Sequence, residues 1–204
     1  MARTQTLQIH RIIPRTRAEG PGVRFCVWVQ GCSIRCPGCA NPETWDSRNG
    51  DAVTVRNLGQ NILDTPGIQG ITLMGGEPFD QAAPLAALCR EVRGSGLSVV
   101  TFTGHTLEHI IESHGPDARK LIALTDLLID GPYIQKQRDC SRPWIGSANQ
   151  RFHFLTDKYK NLETSLPSMR NRIEIRISPH GAVSVNGMAN SQNAPELFKS
   201  LMRR

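Results

Sequence analysis

Three cysteines lie close together in the first quarter of the chain, at Cys32, Cys36 and Cys39. Their C-x3-C-x2-C spacing puts three thiols within eight residues, and the thiolate form of cysteine is a metal ligand. An iron–sulfur cube usually takes four cysteines, so three would leave one iron without a protein ligand. Because catalytic metal centres keep an open coordination position and structural ones do not, the spacing predicts a site for chemistry.

Four other stretches accompany the cysteines. They are Gly-Pro-Gly-Val-Arg at residues 20–24, Gly-Gly-Glu-Pro at 75–78, Leu-Ile-Asp-Gly-Pro-Tyr-Ile-Gln at 128–135 and Trp-Ile-Gly-Ser-Ala-Asn-Gln-Arg at 144–151. The third cysteine also begins the run Cys-Ala-Asn-Pro-Glu-Thr-Trp at residues 39–45. In this order the motifs resemble the radical S-adenosylmethionine (SAM) superfamily and, within it, the glycyl-radical-enzyme activases, above all the activating component of anaerobic ribonucleotide reductase. The resemblance covers roughly residues 8–156.

The resemblance implies two cofactors, a [4Fe-4S] cluster and SAM. Cys32, Cys36 and Cys39 would hold the cluster, and its fourth iron would be chelated by the amino and carboxylate groups of SAM. An electron from the cluster would then cleave SAM to methionine and a 5′-deoxyadenosyl radical. The cofactors carry this chemistry, so the task of the protein is to position them.

The resemblance also implies SAM contacts at four places in the chain. The double glycine and its glutamate are similar to the superfamily's methionine-binding loop, and the residues flanking the third cysteine would contact adenine through backbone. Many relatives carry a bulky residue beside that cysteine, so here the adenine must stack elsewhere. The later strand ends would contact the ribose and methionine parts. The implied SAM-binding residues are Gly38, Ala40, Gly75, Gly76, Glu77, Thr103 and Asp130.

Hydrophobic periodicity predicts the elements that carry these residues. Alternation over residues 23–30 predicts a buried strand that leads into the cysteine loop. Helical patterns and strand patterns then alternate, at residues 55–63, 70–74, 82–92, 97–103, 106–112, 117–124 and 127–129. Such alternation is typical of parallel β/α units, which bind ligands at the carboxyl ends of their strands. We therefore expect an α/β fold, a partial, open β/α barrel of the radical SAM type.

The remainder of the chain predicts a small addition to this fold. Residues 136–170 are polar and read as irregular, whereas 172–177 and 182–185 alternate and predict a β-hairpin. A last helix is predicted over residues 195–202, with proline in its first turn. We expect residues 1–156 to form the core domain and residues 157–204 to form an extension packed on it.

Composition restricts the setting in which the protein works. A chain of 204 residues with 39% hydrophobic residues, no membrane-length apolar run and no secretory leader predicts a cytoplasmic protein with reduced thiols. Cys26 and Cys89 lie in apolar patterns and are expected in the core. The net charge of +6 is scattered and few aromatic residues accompany it, so neither nucleic acid nor a membrane is expected as a partner.

Three functions remain open at this point. The first is removal of a glycine Cα hydrogen from a large glycyl radical enzyme, resembling anaerobic ribonucleotide reductase, with electrons from flavodoxin or ferredoxin. A second keeps radical SAM chemistry but acts on a small molecule or a peptide, because the tail beyond residue 156 is not covered by the resemblance. A third is a structural zinc module in which Cys26 or a histidine is the fourth ligand.

Overall fold

The computed structural model describes residues 5–188, and the helix predicted over residues 195–202 lies outside that range. Within it, the strands are β1 (Thr6–Thr16), β2 (Arg24–Val29), β3 (Asp51–Thr54), β4 (Gly70–Gly75), β5 (Ser98–Phe102), β6 (Leu127–Asp130), β7 (Arg151–Phe154), β8 (Ile173–Ile177) and β9 (Val183–Gly187). The helices are α1 (Val55–Leu63), α2 (Ala82–Gly94), α3 (Leu107–Ser113) and α4 (Pro116–Ala123). None of these helices combines the length and the apolar character needed to span a bilayer.

Seven strands form one open sheet in the order β3-β1-β2-β4-β5-β6-β7. The four central strands, β2, β4, β5 and β6, run parallel, and the remaining strands pair antiparallel at the two sides. Parallel strands end at the same edge of a sheet, so the loops after the four central strands meet there. The predicted α/β fold with its separate C-terminal hairpin is confirmed.

The sheet is buried between two apolar layers. All six residues of β2 are buried, and Phe25, Val27 and Val29 belong to a large core cluster that includes Leu58 of α1 and Leu85 of α2. A second cluster on the other side of the sheet contains Ile129, Trp144, Ile145, Tyr159 and Leu166. Cys26 and Cys89 are fully buried, as predicted. Burial on both faces explains why the central strands read as nearly continuous apolar runs.

Three strands of the sheet did not appear in the sequence pattern. The prediction that residues 136–170 are irregular is wrong over β7, which pairs antiparallel with β6. β1 pairs with both β2 and β3, and β3 has only four residues, two of them exposed. Short, half-exposed edge strands carry little hydrophobic signal because their pairing partner stabilises them more than their own composition does.

The hairpin of β8 and β9 packs against the end of β1. Asn186 Nδ2 donates to Thr16 Oγ1 over 2.9 Å, and Glu174 Oε1 accepts from the backbone nitrogen of Arg17 over 2.6 Å. These contacts are polar because the inward residues of the hairpin are polar. The division of the chain into a core and an extension near residue 156 stays a prediction.

The buried guanidinium of Arg24, in β2, connects β4 and β5 to the extension. Arg24 is fully buried, and its nitrogens donate to oxygens of Thr72, Ser98, Tyr159 and Ile71. Every one of these acceptors is a neutral oxygen. Burial lowers the pKa of Arg24, but an arginine in a protein stays charged, so each donor needs a partner. Arg24 therefore fixes β2, β4 and β5 relative to Tyr159.

Replacement of this arginine should be costly for the fold. Arg24→Met keeps much of the volume but leaves several buried acceptors without donors, so we expect a loss of about 3 kcal/mol in the free energy of unfolding. Urea unfolding followed by circular dichroism measures it. Arg90→Met, on the exposed side of α2, is the matched control. Equal midpoints for the two variants would contradict the role of Arg24.

Candidate functional site

A cavity of about 540 Å³ lies at the carboxyl ends of the central parallel strands. Its wall contains residues from the loops after β2, β4, β5 and β6 and from the end of β9. Nine of the ten residues that the sequence singled out line it: Cys32, Cys36, Gly38, Cys39, Ala40, Gly75, Gly76, Glu77 and Thr103. The strand order brings together residues that are more than 70 positions apart in the chain.

The loop that carries the three cysteines is anchored by backbone hydrogen bonds at its beginning. Gly31 N donates to Thr44 O over 2.7 Å, and Cys32 N donates to Trp45 O over 3.2 Å. The buried side chain of Gln30 donates from Nε2 to two more carbonyl oxygens of this segment, both at 2.8 Å. Residues 43–46 therefore hold the beginning of the cysteine loop in place through these hydrogen bonds.

A second anchor ties the cysteine loop to the turn after β4. Both the backbone nitrogen and the hydroxyl of Ser33 donate to the carboxylate of Asp80, each over 2.8 Å. The sequence analysis missed this pair, because nothing local relates two residues 47 positions apart. The contact couples the position of Cys32 to the segment that carries Glu77.

The double glycine lies directly against the chain that enters the cysteine loop. Gly76 N donates to Val29 O and Glu77 N donates to Gly31 O, both over 2.8 Å. Gly75 has φ 106°, and a Cβ at Gly76 would lie deep inside the van der Waals radius of the Gly31 carbonyl oxygen. Only glycine permits this approach at residue 76.

Glu77 is the buried acidic group of the cavity. Its Oε1 accepts from Phe79 N over 2.9 Å and from Thr103 Oγ1 over 2.8 Å, and its Oε2 accepts from Gly104 N over 2.9 Å. Burial raises the pKa of Glu77 to about 7, and the three hydrogen bonds oppose that rise. A cation placed beside this carboxylate would lower its pKa again, so Glu77 is suited to bind an ammonium group.

Thr103 lines the cavity and also donates a hydrogen bond to Glu77. Because its hydroxyl donates to Glu77 and also accepts from His105 N over 3.1 Å, Thr103 orients the glutamate. The residue lines the cavity as predicted, but its polar atom is already engaged.

Asp130 is the expected SAM contact that the structure does not bring into the cavity. Its fully buried carboxylate accepts from Arg151 over 3.0 and 2.5 Å and from Leu107 N over 2.7 Å, and His153 Nε2 lies 2.9 Å away. A SAM contact at Asp130 stays a prediction, because these donors already engage its carboxylate. This carboxylate joins β6, β7 and α3, and the adjacent Gly131 lines the cavity in its place.

The three thiols of the loop line the cavity and are partly exposed. Burial raises the pKa of the Cys32 and Cys36 thiols, so bound metal must displace their protons. Among residues 5–188, no three Cys, His, Asp or Glu side chains are grouped closely enough to hold a single metal ion. Cysteines that bind a [4Fe-4S] cube attach to different irons, so three thiols around one cavity fit such a cluster.

Several cavity residues come from segments to which the sequence analysis assigned no role. Tyr133, Gln135, Arg138, Cys140, Gly146 and Gln150 follow β6, and Gly187 and Met188 end the hairpin. The motifs at residues 128–135 and 144–151 were a usable signal for Tyr133, Gln135, Gly146 and Gln150, but not for Arg138 and Cys140. The hairpin residues had no such signal, because only packing brings them to the site.

A family profile described as a 4Fe-4S single cluster domain matches residues 18–153. The anaerobic ribonucleoside-triphosphate reductase-activating protein of Escherichia coli (strain K12) is 32% identical over 157 residues, which cover 73% of this chain and 99% of that protein. The protein of the same name from Enterobacteria phage T4 is 32% identical over 154 residues, covering 72% of this chain and 94% of its own. Among solved structures, QueE from Escherichia coli matches with 19% identity and a TM-score of 0.42, over 50% of this chain and 54% of that chain.

The close approach at Gly76 makes a specific prediction. Gly76→Ala should push the cysteine loop away from β4, with a loss of about 2–4 kcal/mol in stability and of most of the bound iron after anaerobic reconstitution. Gly94→Ala is the matched control, because a Cβ there meets nothing within 4 Å. Iron analysis and thermal unfolding measure both effects. Full iron content in the Gly76 variant would contradict the geometry.

Proposed function

We propose the following function for this chain, which belongs to the radical SAM activating enzymes, the family of the anaerobic ribonucleoside-triphosphate reductase-activating proteins. Members of this family are enzymes that use a [4Fe-4S] cluster and SAM. The proposed reaction is removal of a hydrogen atom from a glycine Cα of a large partner enzyme of the anaerobic ribonucleotide reductase type. The observation that carries it is one cavity with three thiols on one side and the buried Glu77 on another.

Cys32, Cys36 and Cys39 are the proposed ligands of the cluster. When bound, the cluster and SAM supply the electron and the 5′-deoxyadenosyl radical that the reaction requires. The contribution of the protein is to hold the cysteine loop at the strand edge through Gly31, Ser33 and Asp80, so that the reacting groups meet in a fixed geometry.

Glu77 is the proposed partner of the SAM ammonium group. Its Oε2 accepts one hydrogen bond, from Gly104 N, so this carboxylate oxygen retains acceptor capacity. The backbone of Gly75 and Gly76 allows the methionine part to approach closely, and the backbone of Gly38 and Ala40 lines the region assigned to adenine. Thr103 is assigned to the orientation of Glu77.

A second candidate is radical SAM chemistry on a small molecule or a peptide. One observation favours it, because Gly187 and Met188 of the extension line the cavity and so reduce the open side of the site. Flavodoxin or ferredoxin as the electron donor, and a cytoplasmic location, are parts of the proposal that rest on the family alone.

The first experiment measures SAM cleavage and radical transfer together. Anaerobically reconstituted protein is reduced with dithionite and given SAM and a purified anaerobic ribonucleotide reductase. We expect 5′-deoxyadenosine and a glycyl radical signal in electron paramagnetic resonance. Cys36→Ala should abolish both, whereas Cys89→Ala, which removes a thiol from the core, should keep both. Cleavage of SAM without a glycyl radical would favour the second candidate.

The pKa of Glu77 predicts how SAM binding depends on pH. Since the ligand-free carboxyl has a pKa of about 7, it is protonated below that pH and must lose its proton to accept a hydrogen bond from the SAM amino group. SAM affinity should therefore weaken below pH 7 by up to about tenfold per pH unit, in addition to the effect of the SAM amino group's own titration. Anaerobic equilibrium dialysis measures the profile.

Two variants test whether Glu77 causes this profile. Glu77→Gln should bind SAM more weakly and lose most of the pH dependence, because its side chain does not titrate. Glu112→Gln, on the exposed surface of α3, should retain both the affinity and the profile of the wild type. An unchanged profile in the Glu77 variant would assign the titration to another group.

A further inference from the structure

The C-terminal extension reaches the cavity from outside the segment shared with the family. The family profile ends at residue 153, and the relative from Escherichia coli is covered almost completely by 73% of this chain. Asn171, Gly187 and Met188 all lie beyond residue 153. Any part they take in the site is therefore additional to the shared core.

Asn171 holds a loop whose residues line the cavity. Its Nδ2 donates to Cys140 O over 2.6 Å and to Arg142 O over 3.0 Å, and its Oδ1 accepts from Trp144 N over 3.0 Å. Trp144 has φ 64°, a conformation that a side-chain-bearing residue adopts only when its surroundings hold it. One side chain thus satisfies three backbone groups of the loop that carries Arg138 and Cys140 into the cavity wall.

The end of the hairpin forms another part of the same wall. β9 ends at Gly187, and both Gly187 and Met188 line the cavity. Gly187 has φ 107°, and a Cβ there would lie 3.0 Å from the Cβ of Ala18 and inside the contact distance of a backbone oxygen. The buried Asn186 fixes the same strand to β1. Met188 therefore directly follows a strand that hydrogen bonding and close packing hold in place.

We propose that residues 171–188 act as a wall that closes one side of the cavity to small hydrogen donors, so that a donor reaches the site only from the side left open. This inference rests on the proposed function. In the reaction the C5′ carbon of the adenosyl radical gains a hydrogen atom and the donor C–H bond breaks, leaving the unpaired electron on the donor carbon. Such a radical attacks almost any C–H bond within reach, so the wall decides which bond that is.

The size of the cavity leaves a confined space for the hydrogen donor. Its volume of about 540 Å³ is typical of a site for one drug-sized ligand. SAM would take up much of that volume, so a wall at one side bears directly on what else can enter.

The first test replaces Met188 and uses perdeuterated 2-propanol as a small donor. Reconstituted holoenzyme is reduced with dithionite and given SAM and the alcohol, and mass spectrometry measures the deuterated fraction of the 5′-deoxyadenosine formed. Met188→Ala should raise that fraction by about threefold or more, because it opens the wall of the cavity to the alcohol. Met188→Leu, with similar bulk, and Ser184→Ala, on the same strand but exposed, should match the wild type.

The second test examines Asn171 in the protein without cluster or SAM. Asn171→Ala should speed hydrogen–deuterium exchange of the Trp144 amide by about fivefold or more, because its acceptor is lost. Asn161→Ala, which replaces an exposed asparagine of the extension, should change nothing. The holoenzyme of Asn171→Ala should also admit more deuterium from 2-propanol.

The outcomes separate the wall from the proposed function. Equal deuterium in the wild type, Met188→Ala and Asn171→Ala would overturn the wall, even if the glycyl radical forms normally on the reductase. Increased deuterium in the variants together with no glycyl radical would support the wall and overturn the reductase as partner. Urea midpoints within the wild-type range establish that the variants compared are folded.

Discussion

The close packing of two backbone segments at the edge of the sheet is the constraint on which the site depends. Gly76 and Glu77 donate their backbone N–H groups to Val29 and Gly31, where the chain leaves β2 for the cysteine loop. This contact requires a residue without Cβ at position 76. Because the thiols follow one of the paired segments and the glutamate follows the other, a single backbone contact sets their separation.

Electrostatics impose a second constraint on the same edge. A buried carboxylate is costly unless donors surround it, and Glu77 has three, two of them from the residues that follow β5. Asp130 follows the same rule at the end of β6 with Arg151, but there the carboxylate serves the fold and not the cavity. Two acidic residues at the ends of β4 and β6, on either side of β5, thus have different hydrogen-bond partners and take different roles.

Residues beyond the segment matched by the family profile also line the cavity. In the extension, the carboxamide of Asn171 holds the loop at residues 140–144, and Asn186 of β9 hydrogen-bonds to Thr16 of β1. The cysteines and Glu77 lie within the segment that the family profile matches. Arg24, which pairs with Thr16, also contacts the extension through Tyr159. The hairpin is held to the core by its hydrogen bonds to Thr16 and Arg17, beside the amino-terminal end of β2, which suits a fixed wall better than a mobile lid.

The sequence by itself determined the features that are local: the cysteine spacing, the alternation of β and α, the hairpin, and the double glycine with its glutamate at a strand end. Each of these depends on the periodicity or spacing of neighbouring residues, so it can be recognised without coordinates. Only the tertiary structure decided that Asp80 holds Ser33, that Asp130 pairs with Arg151 outside the cavity, and that Cys140 and Met188 line it. These relations join residues far apart in the chain, and they exist only because the strand order and the register bring particular side chains within hydrogen-bonding distance.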